Sequence, residues 1–298
     1  MPTIRANTFS IVARDARTGD IGVAVQSHWF SVGAVVTWTE PAVGAVATQS
    51  LALVSHGPNG LALMRSGIAA PAALAALLAS DPHREDRQLG LIDTKGGVAA
   101  HTGTRCIAEA GHHLGEGYSC QANLMLKNTV PGAMARAFES ASGPLAERML
   151  TALDAAQAEG GDIRGKQSAA LQVVSGDPAT PAWKKALELR IEDHAEPLPE
   201  LRRLLAVARG YEMLNAAEEH LVAGRMKEAD RLYAQAQQAI PGNLEASFWA
   251  AMSRWEHGRR EEARAALAQL FAKDPNWRET ARRAIAAGHS RVPLEELP

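Results

Sequence analysis

The chain has 298 residues, long for one compact domain and short for three, so one large and one small domain are expected. Its 31 Lys and Arg against 33 Asp and Glu give a formal charge of −2, which excludes a global basic excess for binding nucleic acid or an anionic membrane. Two cysteines, Cys106 and Cys120, imply no disulfide framework. The start MPTIRAN has no apolar core, and no run of about 18 apolar residues follows, so a cytoplasmic protein is expected.

In chain order, residues 8–14 (TFSIVAR) alternate, with Phe9, Ile11 and Ala13 on one face and Thr8, Ser10 and Val12 on the other. The Gly-containing turn DARTGD leads to IGVAVQS (21–27), which predicts a β-hairpin. AVVTWT (34–39) and VGAVATQS (43–50) predict a second strand pair across Glu40 and Pro41. Residues 58–80 carry helical spacing with breaks at Gly67 and Pro71. A third hairpin is expected from RQLGLID (87–93) and GVAAHTG (97–103), then helices over 131–142 and 144–159, then strands over 167–175 and 186–194. Hairpins, helices and strands in that order predict an α+β domain of antiparallel sheets covered by helices.

Beyond Pro197 the pattern becomes helical and repeats every 34 residues. Gly224 and Gly258, Glu228 and Glu262, Ala229 and Ala263, and Pro241 and Pro275 are all separated by that interval. Two helix-turn-helix units with small residues at Ala217, Ala229, Ala236, Ala251 and Ala263 and an aromatic at Tyr233 resemble tetratricopeptide (TPR) repeats, with 277–287 as a closing helix. His220 and Arg254 stand where the first helix of such a repeat carries an aromatic. The expected division is 1–205 and 206–298.

The stretches TFSIVARD, TGDIGVAVQSHWFSVG, VGAVATQ, RQLGLID, TGTRC, GHHLGEGYSCQANLM, LAERMLTAL, GGDIRGKQSAALQVV and LELRIEDH together resemble the DUF1028 proteins, of the Ntn-hydrolase-like superfamily, over roughly residues 8–205. The resemblance implies a four-layer αββα Ntn-hydrolase-like sandwich, followed here by the all-α TPR-like domain. It brings no agreed substrate. The superfamily's chemistry uses the side chain of an N-terminal Thr, Ser or Cys as nucleophile and its own α-amine as base. On that resemblance Thr8 is the candidate nucleophile. A free α-amine titrates at about 7.7–8.0, whereas an amide nitrogen within a chain has no basic lone pair. Many relatives carry the equivalent Thr directly after the initiator Met. Here residues 1–7 precede it, and loss of Met1 exposes Pro2, so cleavage between Asn7 and Thr8 would be required.

Ser10 shares the strand face of Thr8 and is a supporting or substitute hydroxyl. Ser27 and His28 close the second strand, Ser27 as a substrate contact and His28 as an acid/base or carboxylate ligand, against the plainer role of holding a backbone carbonyl. Gln49, between Thr48 and Ser50, and the pair Gln121 and Asn123 are candidate oxyanion donors, or else ties for loop backbone. Arg164 either clamps a substrate carboxylate or pairs with Asp162, and Gln167 is a further substrate contact. The spacing of Cys106, His112, His113 and Cys120 does not follow closed zinc-site patterns. No phosphate loop, dinucleotide fingerprint or H-E-x-x-H occurs, so no cofactor and no metal is expected.

Two readings follow. One is an Ntn-type amidohydrolase that cleaves a small amide or peptide-like C–N bond with Thr8 after loss of residues 1–7. The other is a non-catalytic scaffold whose TPR-like tail recruits a protein partner. Catalysis by Cys106 or His28 without processing is a third possibility. Homodimerisation is an expectation, as is the absence of nucleic-acid and membrane partners.

Overall fold

A computed structural model describes residues 4–298, so the first three residues of the leader lie outside the described residues. The chain divides into two compact units, one ending at Arg202 and the other beginning at Arg203.

The first unit contains two antiparallel sheets. One comprises β1 (Ile4–Ala6), β4 (Thr37–Glu40), β5 (Gly44–Ala52), β6 (Arg87–Asp93) and β7 (Val98–Thr102), in the order β1-β5-β6-β7, with β4 also paired to β5. The other holds β2 (Thr8–Arg14), β3 (Ile21–Ser27), β8 (Gly111–Gly115), β9 (Tyr118–Ala122), β10 (Ser168–Val174) and β11 (Leu187–Ile191), ordered β11-β10-β3-β2-β9-β8. The sheets face one another, β2 and β3 lying over β5. Helices α1 (His56–Arg65) and α2 (Ala70–Ser80) cover the outer face of the first sheet, and α3 (Val130–Ser140) and α4 (Leu145–Ala158) cover that of the second.

This arrangement explains why β2 is buried on both faces despite its alternation. Val12 joins Ala45 and Ala47 of β5 in the core between the sheets, while the opposite side of the β2–β3 pair meets Met149 of α4. The α2 stripe Ala70, Ala73, Leu74 and Leu77 follows helical spacing and packs with Leu61 and Met64 of α1 on Val46, Leu89 and Leu91. Of the two expected breaks, Gly67 is one: it follows α1 with φ +93°, which a residue without a Cβ adopts freely. Pro71 instead lies in the first turn of α2, where its missing N–H costs no helical bond.

The strand expected from residue 34 begins only at Thr37. Val32–Ala34 form a 3₁₀ turn that brings Gly33 against Ala170, where a Cβ would approach to 2.5 Å. The β8–β9 hairpin and the leader strand β1 lack a clean alternation and emerge only in the structure.

The second unit contains the rest of α5 (Pro197–Val222), then α6 (Met226–Ala239), α7 (Leu244–Glu256), α8 (Arg260–Lys273) and α9 (Asn276–Ala286). The 34-residue period is visible in its packing. Ala217, Ala251, Ala229 and Ala263 are all fully buried, which lets paired helices approach closely. Gly224 and Gly258, at φ +73° and +80°, turn the chain after α5 and α7. Asn243 caps α7 by accepting the Ala246 N–H at 2.9 Å. No helix among the described residues is long and apolar enough to cross a membrane.

Candidate functional site

The site lies where the start of β2 meets the ends of β3 and β9 and the facing strands β5 and β6. Thr8 is fully buried, pairs across the ladder with Ser27, and donates its hydroxyl proton to the Gln26 carbonyl oxygen. Its nitrogen belongs to the Asn7–Thr8 peptide bond. The Asn7 carbonyl oxygen of that bond accepts two hydrogen bonds, from Ser27 Oγ at 2.6 Å and from Arg164 Nη2 at 2.8 Å. Arg164 is itself held by Asp162, Nε to Oδ1 at 3.0 Å and Nη2 to Oδ2 at 2.7 Å. Asp162 also accepts the backbone N–H of Arg164 at 3.0 Å and of His28 at 3.2 Å. Asp162 thus aims the guanidinium at the carbonyl, combining the ion pair with a bond to the chain.

Behind Thr8 is a buried cluster of five uncharged side chains, Ser10, Gln49, Gln88, Gln121 and Asn123. Its polarity is set from the backbone inwards. Gln88 Nε2 faces the carbonyl oxygens of Ala122 (2.8 Å) and Gly111 (3.1 Å) and the Thr102 hydroxyl (2.8 Å), which fixes that end as the amino group. Gln88 Oε1 therefore meets donors, Gln49 Nε2 at 2.7 Å and Asn123 Nδ2 at 2.8 Å. Gln49 Oε1 then takes the Ser10 proton at 2.6 Å, and Ser10 Oγ accepts Gln121 Nε2 at 3.2 Å. Gln121 Oε1 and Asn123 Oδ1 end the network buried and without a hydrogen-bond partner.

The amides also address Thr8 directly. Its carbonyl oxygen accepts the Asn123 N–H at 3.1 Å, with Gln49 Nε2 at 3.4 Å and Asn123 Nδ2 at 3.5 Å beside it. Two non-glycine residues next to this cluster, Ser50 and Leu124, adopt left-handed backbone, φ +69° and +59°. Such conformations cost on the order of 1–3 kcal/mol and collect at functional sites.

Of the sequence candidates, Thr8, Ser10, Ser27, Gln49, Gln121, Asn123 and Arg164 come together here. Their positions distinguish the donors: Ser27 and Arg164 sit on the Asn7 carbonyl, while Gln49, Gln121 and Asn123 orient one another and Thr8. Ser10 spends its proton on an amide oxygen and contacts no basic group in the network. His28 is exposed at the end of β3, its ring nitrogen 3.5 Å from the Lys166 carbonyl oxygen. Gln167 donates its backbone N–H to the Ser27 carbonyl, but its side chain turns to Asp193 at 3.2 Å. Cys106 is half-buried, and burial raises its thiol pKa despite hydrogen bonds from Ser50 and Gly103, a poor setting for a thiolate nucleophile. Among the described residues no three His, Cys, Asp or Glu side chains converge as a metal site.

Gln88 was not a sequence candidate. It sits next to Gln49 across the β5–β6 ladder, and the paired register of two strand glutamines was the available signal. Gly90 is its companion: an added Cβ there would lie 2.6 Å from Gln121 Nε2. Gly90→Ala is expected to displace Gln121 from Ser10 and lower stability by about 1–3 kcal/mol, read from urea unfolding. A wild-type midpoint with the Ser10–Gln121 contact intact would contradict this account of the glycine.

The comparisons bear on the two units separately. The model of DUF1028, a family of unknown function, matches residues 8–201, and a tetratricopeptide-repeat model matches residues 220–287. The crystal structure of protein SPO2555 from Silicibacter pomeroyi, which carries the DUF1028 family model, is similar with a TM-score of 0.61 and 31% identity over 67% of this chain and 88% of that one. No curated protein matches the chain.

Proposed function

The chain belongs to the DUF1028 family, and from that premise we propose that it is an Ntn-type amidohydrolase, activated by cleavage of its own Asn7–Thr8 bond, that uses Thr8 on an amide or peptide-like C–N bond. The observation that carries this reading is the pair of donors, Ser27 Oγ and Arg164 Nη2, on the carbonyl oxygen of the one peptide bond whose cleavage frees the Thr8 amine. The paired antiparallel sheets with helices on both outer faces agree with an Ntn-hydrolase sandwich.

In the activating step Thr8 Oγ1 attacks the Asn7 carbonyl carbon. Negative charge builds on an oxygen already facing a hydroxyl and a guanidinium, the arrangement that stabilises a tetrahedral intermediate. The C–N bond breaks, the hydroxyl proton passes through water to the departing Thr8 nitrogen, and an Asn7–Thr8 ester remains. Water hydrolyses the ester, leaving the Asn7 carboxylate, a free Thr8 hydroxyl and the α-amine. That amine then serves as base for the same hydroxyl against an incoming amide, whose carbonyl oxygen takes the place of Asn7's between Ser27 and Arg164. Acyl transfer to Thr8 releases the amine product, and water then hydrolyses the acyl ester, releasing the carboxylate product and regenerating the hydroxyl.

Intact-protein mass spectrometry of the untagged chain tests this first. Loss of residues 1–7 from wild type but not from Thr8→Ala is the expected result, together with amide turnover by the processed wild type alone. A wild-type chain that keeps its leader and shows no turnover would sink the reading.

A scaffold role is the second reading, favoured by a groove of about 310 Å³ within the helical unit, bordered by Tyr211, Glu218, Glu245 and Trp249. Helical repeats commonly use such a surface for a protein partner, and the two carboxylates favour a basic one.

A further inference from the structure

The leader is a strand laid along an edge next to the bond it precedes. Ile4, Arg5 and Ala6 run antiparallel to β5 opposite Ala52, Leu51 and Ser50, and the chain then delivers the Asn7 carbonyl to Ser27 and Arg164. Further along β5, β4 pairs with residues 44–47 and β6 with residues 44–50, and the stretch from Ser50 to Ala52 is taken by β1. We infer that this edge is the acyl-side binding groove of the enzyme and that the leader occupies it as a substrate would. The substrate class is then an extended L-peptidyl amide with alanine-sized bulk two residues before the cut and an asparagine-sized polar residue directly before it. The inference rests on the amidohydrolase reading above and adds the substrate to it.

The residue-by-residue environment supports the assignment. Ala6 is fully buried opposite Ser50, in a space that accepts a methyl group, while its neighbour Arg5 is exposed. Ile4, on the same side as Ala6 by strand alternation, is half-buried against the apolar core between the sheets. Asn7 is 5% exposed and borders a cleft of about 140 Å³ of mixed character, with Ser50, Asp86 and Arg105 beside Leu51 and Ile107. Arg105 and Asp86 form a two-bond ion pair there, at 2.8 and 2.7 Å, so the charges of the wall neutralise one another. Main-chain pairing to a strand edge supplies affinity for any extended peptide, and the alternate side-chain pockets supply selectivity. The left-handed backbone at Ser50, held opposite Ala6, is the local departure from regular strand geometry at this groove.

The experiment uses the full chain after it has processed itself. Its substrate is N-acetyl-Ile-Arg-Ala-Asn-p-nitroanilide, compared with the same peptide carrying Phe for Ala, Leu for Asn, or Ala for Arg, and with N-acetylalanine p-nitroanilide. The expected result is a kcat/KM at least tenfold higher for the parent peptide than for the Phe and Leu peptides, with the Arg replacement within about twofold, as befits an exposed position. In the unprocessed chain Ala6→Phe should slow cleavage after Asn7 at least tenfold, whereas Arg5→Ala should not. Equal turnover of the parent, Phe and Leu peptides, or turnover of the short anilide alone, would overturn the groove while leaving amide hydrolysis standing. A chain that neither processes nor cleaves any anilide would overturn the amidohydrolase reading, and the groove with it.

Discussion

Arg164→Met is expected to slow cleavage after Asn7 by about 10²–10³-fold, the usual loss when one donor is removed from a developing oxyanion. Two bonds of the guanidinium are spent on Asp162 and one on the Asn7 oxygen, so the donor arrives already oriented. Arg164→Lys should recover only part of the rate, because a single ammonium cannot reproduce the planar fork that reaches both partners. Ser27→Ala removes the other donor and should act in the same direction. Since both donors serve one oxygen, the double replacement should cost less than the product of the single effects. The rates are read by mass spectrometry over time on protein shown by circular dichroism to be folded, because Arg164→Met also strips Asp162, 2% exposed, of its counter-ion. A folded Arg164→Met chain that processes at the wild-type rate would remove the guanidinium from the mechanism.

Asp81→Asn is expected to destabilise the first unit by about 3–5 kcal/mol, the cost of stranding a buried charge. Asp81 accepts Arg87 Nε at 2.7 Å, lies 3.0 Å from His56 Nε2, and receives the His83 N–H at 2.8 Å, with all three side chains of the cluster buried. Arg87 also donates to the Leu51 carbonyl, so the cluster braces the part of β5 that holds the leader. Burial alone would raise the Asp81 pKa, but the bonds from Arg87, His83 and His56 outweigh it and hold the carboxyl well below the usual range. A depressed folded-state pKa stabilises fully above the unfolded value of about 3.9 and is lost as pH falls through the interval below it. Wild type should therefore lose stability from about pH 4 downward more steeply than Asp81→Asn in urea titrations. Parallel pH profiles would show that the cluster carries no linked stability.

What the sequence disclosed follows from which physics is local. Alternation in residues 8–14 and 21–27, the 34-residue period of small residues, and the Gly67 turn are one-dimensional signals, and each corresponds to an observed element. β4 starts three residues later than the pattern predicts because Gly33 is fixed by contact with Ala170, distant in sequence. The polar residues of the site were nameable as hydroxyls and amides at strand ends. Their division of labour was not, because which amide faces which is decided by carbonyls of Gly111 and Ala122 acting through Gln88. The leader likewise reads as a short tail, and its strand pairing with β5 exists only in three dimensions.

The cluster of Ser10, Gln49, Gln88, Gln121 and Asn123 contains neither an acid nor a base. It is a medium of fixed dipoles that neither stores nor releases protons, so it responds to acidity like a solid and not like a buffer. Protons at Thr8 are therefore not exchanged with these five side chains, which carry only hydroxyl and amide groups. The interior behind the threonine supplies shape and polarisation, and it meets a titratable group only at its rim, where Thr102, bonded to Gln88, faces His112 Nδ1 at 2.8 Å.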